Sequence, residues 1–206
     1  MPSGSGSGSS GGIGGRLDAL LSGLATMLLV VAGGMAVVGL ASSFLGGDDE
    51  PERTDVPAAA PIELRVAELG IKAKVVPIQL SPDAVLDPPN DPDVVGWWDD
   101  SARPGADTGQ VVITGHTVHT GGGALDRLSE EEPGGRPIVL RTKAGVQRYA
   151  VTKRIVASPE EVAARAEKLF GQDRREPGGA RLVLVTCTDW NGSFYESNVI
   201  IMARQL

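Results

Sequence analysis

The stretch RLVLVTCTDWNGSFYESNVIIMAR, residues 181–204, decides the reading of the fold. Its first part, RLVLVT (181–186), is a continuous apolar strand, and NVIIMAR (198–204) is another. Working outward, VVITG (111–115), PIVLR (137–141) and VQRYAVTKRIVA (146–157) read as strands. Lys143-Ala144-Gly145 makes a hairpin turn between the last two. Nearer the start, IELRV (62–66) and IKAKVVPI (71–78) are short strands parted by a Leu-Gly turn. One helix is marked. Ser158 is its N-cap, Pro159 suits the first helical position, and Glu161 completes a capping box. Val162, Ala166, Leu169 and Phe170 form its apolar stripe, and Gly171 stops it. Many short strands with one helix predict a mainly β domain, a closed barrel or a sandwich. Residues 82–110 are rich in Pro, Asp and Gly and read as a long loop. Trp97 and Trp98 pin it to the barrel, with substrate lining as the alternative.

Composition narrows the class. A chain of 206 residues accommodates one domain of about 150 residues plus extras. Aromatic residues are 4%, so the core must be built from Val, Ile, Leu and Ala. A net charge of −7 gives no electrostatic reason to bind nucleic acid. The single cysteine, Cys187, cannot form an internal disulfide.

The run from Ala19 to Gly47 carries no charged residue, and its centre (20–45) is long enough to cross the hydrocarbon layer as a helix. It exceeds the apolar region of a signal peptide. The expected organisation is a flexible Gly/Ser cytoplasmic tail (1–16), one transmembrane anchor (17–46), a charged Pro/Ala linker (47–61) and a catalytic domain (62–206). Arg16 precedes the span, and Asp48, Asp49 and Glu50 follow it, which puts the N-terminus in the cytoplasm and the domain outside. An exported domain with one unpaired cysteine draws attention to a reactive thiol.

Three candidates lie at strand ends: His116 after VVITG, Cys187 after RLVLVT, and Arg204 at the close of the last strand. A thiol transferase needs a thiolate to attack a carbonyl, a histidine to move a proton, and a cation or donors to meet the tetrahedral oxygen. The plain alternatives are an inert core cysteine, a turn-capping histidine and a solvated arginine.

The surrounding strings resemble the sortase family. LVTCTDW (184–190) is similar to its cysteine motif, and VVITGHTVHTGGGALDRL (111–128) to its histidine motif. Arg204 stands 17 residues after Cys187, where the sortase arginine is expected. DPPNDPDVVGWWDDSARPGADTGQ (87–110) resembles the segment before the histidine in class F and class E sortases of actinobacteria. The resemblance covers about residues 62–206 and implies an eight-stranded closed β-barrel with one or two short helices. It implies cleavage of an LPXTG-like sorting signal between Thr and Gly, through a thioester on Cys187. By the same resemblance, His116 would act as general acid then base, Arg204 would steady the oxyanion or substrate, and Thr186 would help position the substrate. The resemblance further implies that the acyl group passes to an amine such as the stem peptide of the cell-wall precursor, or to water.

His119 forms an HxxH pair with His116, but three residues apart in a Gly-rich loop is not helical spacing, so no metal is expected. Gly121-Gly122-Gly123 lacks the lysine and strand-to-helix setting of a phosphate loop, so no cofactor is expected either. Asp126 and Asp189 are expected in surface hydrogen bonds rather than in a triad. The 71 residues from His116 to Cys187 argue against an L,D-transpeptidase, and the order His before Cys argues against a papain-like protease. The remaining alternative is a membrane-anchored binding module with a structural cysteine.

Overall fold

A computed structural model describes residues 56–173 and 178–206. The expected tail, anchor and first part of the linker lie outside the described residues. Among the described residues, no helix is long and apolar enough to cross a membrane.

Eight strands close into a barrel. They are β1 (Pro61–Val66), β2 (Ile71–Ile78), β3 (Val94–Trp98), β4 (Gln110–Thr114), β5 (Ile138–Thr142), β6 (Val146–Ala157), β7 (Arg181–Trp190) and β8 (Tyr195–Gln205). Around the barrel the order is β1-β2-β3-β4-β7-β8-β6-β5, and β5 returns to β1. The β2–β3 and β4–β7 pairs are parallel, and the others are antiparallel. Closure leaves no unpaired edge.

The central apolar run serves two layers. Leu182 and Leu184 point into the barrel core with Val111, Ile113, Val199 and Ile201. Val183 points outward, into a second cluster with Leu169, Ile200 and Met202. Side chains alternate with period two, so a strand covered on both faces loses the polar alternation of a half-exposed one. Fully burying such a side chain is worth about 1.5–3 kcal/mol.

The cover of the outer cluster is helical, in two pieces rather than the one helix expected. These are α1 (Pro159–Ala164) and α2 (Ala166–Phe170). The predicted capping box forms: Ser158 Oγ accepts from Glu161 N, and Glu161 accepts from Ser158 N. Arg165, at φ −117° and ψ 12°, interrupts the helix. The break still lets Val162, Leu169 and Phe170 reach the outer cluster.

The segment 82–110 also departs from expectation, because VVGWW within it is β3 rather than loop. Trp97 is buried in the core, and its indole N–H donates to Ala102 O at 3.2 Å. Strands β7 and β8 run further than the apolar runs that announced them. They meet in a turn where Asn191 Oδ1 accepts from Ser193 N and Phe194 N, both at 3.0 Å. Gly192 supplies the positive φ of that turn.

Candidate active site

The parallel β4–β7 pair builds the site. Its register sets Thr114 beside Val185, and Gly115 N continues the ladder by donating to Val185 O at 3.2 Å. His116 follows two residues after Thr114, just past the end of β4, and Cys187 two residues after Val185 on β7, so the paired strands lead both residues to the same end of the barrel. Period two also settles the face. Cys187 follows Val183 and Val185 on the outer surface of the barrel, and His116 opens the loop that leaves β4.

Thr186 locks this arrangement from inside. It is buried, and its hydroxyl donates to Gly115 O at 2.9 Å. With that proton committed, the Thr117 hydroxyl donates to Thr186 Oγ1 at 2.7 Å. Thr186 therefore grips the residues on both sides of His116. A substrate-contacting role does not fit its position, because it faces away from Cys187 and its hydroxyl is occupied.

The histidine loop is fastened further. Leu125 N donates to His116 O at 3.1 Å. Asp126 accepts from Val118 N at 2.7 Å and from Gly123 N at 3.0 Å, so both its oxygens hold the loop. Gly121 and Gly122 carry the positive φ values that the loop needs. The His116 ring is half-buried, and its Nε2 lies 2.8 Å from Pro89 O.

Cys187 reaches solvent, yet the strand face shields part of its thiol, and that desolvation pushes the thiol above its ordinary range. The thiol is therefore not strongly activated at rest.

Arg204 stands elsewhere. Strand β8 runs antiparallel to β7, with Cys187 opposite Asn198 and Leu182 opposite Ala203. Arg204 lies past Ala203 and pairs with Ala150 of β6. Six residues separate Asn198 from Arg204, a distance of about 20 Å at strand rise. Of the three strand ends expected to converge, those leading to His116 and Cys187 belong to neighbouring strands, and Arg204 lies toward the opposite end of the barrel. Segments 79–102, 104–126 and 182–200, which carry and flank the site, contain no lysine or arginine. The side chain across from Cys187 on the same face is the half-buried amide of Asn198.

An aromatic group borders the thiol. His119 stacks on Trp190 with centroids 4.1 Å apart and planes within 2°, and Trp190 meets Tyr195 edge-on at 5.1 Å. Burial, and then the charges of Asp126 and Cys187, push the Tyr195 phenol up. Asp189, beside Trp190, takes a left-handed φ of 61°, a conformation Asp tolerates better than most residues. Among the described residues, no three His, Cys, Asp or Glu side chains gather as a metal site. Sequence reasoning passed over Pro89, Asn198 and Tyr195, because their roles depend on which strands become neighbours.

Comparison with known proteins agrees with this architecture. The Sortase domain family matches residues 64–206. No curated protein matches the chain. Sortase A from Corynebacterium diphtheriae, as a lid mutant, superposes with a TM-score of 0.55 at 20% identity, over 76% of this chain and 74% of that one. Sortase E1 from Streptomyces coelicolor, with a tripeptide in its active site, gives 0.54 at 22% identity, over 74% of this chain and 91% of that one. Sortase C-1 from Actinomyces oris gives 0.52 at 16% identity, over 82% of each chain.

Proposed function

This chain belongs to the sortase family of cysteine transpeptidases, and we propose that it cleaves an LPXTG-like sorting signal through a thioester on Cys187. What supports this reading is the parallel β4–β7 pair, whose register carries the chain to His116 and to Cys187 at one end of the barrel. Cys187 Sγ attacks the threonine carbonyl as His116 takes its proton. Collapse of the tetrahedral intermediate breaks the peptide bond, and His116 returns the proton to the departing glycine amine. An incoming amine, such as a cell-wall stem peptide, then attacks the thioester with His116 as base. Water in its place gives hydrolysis.

With Arg204 remote, the oxyanion falls to uncharged donors, and the Asn198 side-chain amide is the nearest by register. The segment 87–110 supports a class F or class E assignment. The uncharged run 19–47 supports a single-pass anchor that holds the domain outside the cell.

The test is the full chain in detergent, incubated with an LPXTG-peptide library and an amine, with products read by mass. Peptides joined to the amine are expected, and Cys187→Ala should abolish them with little change in thermal melt. Turnover retained in Cys187→Ala would overturn the mechanism. For the anchor, the full chain should stay with membranes through alkaline carbonate extraction, and a shortened form in the medium would refute it.

A further inference from the structure

The β2–β3 connection carries Pro88, Pro89 and Pro92. Proline has a fixed φ and no N–H, so such a segment presents carbonyls from a stiff backbone. Two of these carbonyls engage the loop that carries the histidine. Pro89 O lies 2.8 Å from His116 Nε2, and Pro92 O accepts from Ala124 N at 2.7 Å. The connection is itself braced at both ends. Asp91 accepts from Val94 N at its carbonyl and from Asp93 N at its side chain, and Ser81 N donates to Val85 O at 2.8 Å.

A carbonyl oxygen can only accept, so the ring nitrogen facing Pro89 O must carry a hydrogen. A neutral imidazole has one N–H, and the hydrogen bond made by one nitrogen determines the state of the other. The remaining lone pair is therefore on Nδ1. Resting on the thioester reading above, we infer that the Pro89 carbonyl is a positioning group: it holds His116 as the Nε2–H tautomer and leaves Nδ1 as the base that serves Cys187.

The proton balance is simple. Nδ1 takes the Sγ proton as sulfur attacks, and the ring becomes an imidazolium with both nitrogens protonated. Nε2–H keeps its bond to Pro89 O, now charge-assisted and stronger. Nδ1 then gives its proton to the leaving amine. The Nε2 proton never moves. A backbone carbonyl here does the orienting work that a carboxylate does in a Ser-His-Asp triad. Asp126, expected in hydrogen bonds rather than in a triad, is occupied with loop amides.

The experiment is long-range 15N–1H NMR of the full chain in detergent with labelled histidine. The two histidines are assigned through His119→Gln. Neutral His116 is expected as the Nε2–H tautomer. A Pro88→Gly/Pro89→Gly variant should show mixed tautomers at His116 and an unchanged His119. Its kcat should fall about ten- to a hundredfold, the scale of a lost outer-shell partner, with KM within about twofold. An Nδ1–H tautomer in the unaltered protein overturns the inference without any variant. So does a folded double variant with unchanged tautomer and kcat. A rise in kcat and in Cys187 alkylation also overturns it and makes the connection a cover over the site. The tautomer needs no substrate, so failure to turn over any peptide counts against the proposed function and leaves this inference standing on its own measurement.

Discussion

The buried Thr186 hydroxyl donates to the carbonyl of Gly115 at 2.9 Å, joining the residue before Cys187 on β7 to the residue before His116 at the end of β4. This bond ties the two catalytic candidates to a common register. Thr186→Val keeps the volume and leaves the buried Gly115 carbonyl unpaired, at a cost of about 1–3 kcal/mol. A lower melting temperature with a fall in kcat is expected, and Thr186→Ser should restore both. An unchanged melt would mean that Thr186 acts on substrate instead.

Arg204 and Asn198 should exchange the importance that sequence order suggests. Arg204→Ala should keep kcat within about threefold, since a charge about 20 Å away in a wet, salt-screened setting stabilises little. Asn198→Ala should lose about 10²–10³-fold in kcat, the scale of one oxyanion donor. Steady-state cleavage of a fluorogenic sorting peptide measures both. A collapse in Arg204→Ala would show that the barrel end assigned to it is wrong.

The Cys187 thiol is held up by desolvation. The thiolate is the reactive form, so a raised pKa shifts its appearance to higher pH. Alkylation by iodoacetamide should keep accelerating above about pH 8.5, where a free cysteine is already half ionised. A plateau below that value would reveal an activating charge beside the sulfur.

Glu131 is buried, and both its side-chain oxygens lack a hydrogen-bond partner among the described residues. Burial first, then Glu68 and Glu132, push its carboxyl up. A raised folded pKa means that the favourable contribution exists below the unfolded value, about 4.3, and is lost as pH rises through the folded one. Glu131→Gln should therefore raise the melting temperature at pH 7, with the gain vanishing near pH 4. Equal melts at both pH values would show a partner for the carboxylate.

Much of this protein is legible locally. RLVLVT and VVITG announce strands because covered β-branched runs need no tertiary information to be recognised. Ser158, Pro159 and Glu161 announce a helix start because a capping box closes within one turn. The motifs around His116 and Cys187 mark the family for the same reason: each is a short string at a strand end. Other features depended on closure of the barrel. VVGWW became a strand only because β2 and β4 flank it. The antiparallel return of β8 carried Arg204 away from the thiol and put Asn198 across from it. The face on which Thr186 lies, and the meeting of Pro89 with His116 across 27 residues of chain, followed from strand order and register. The sequence by itself determined which residues are strand, cap and motif, because those signals act over a few residues. Only the tertiary structure decided which strand ends share a rim, because direction and neighbourhood around a closed barrel are set by pairing between distant segments.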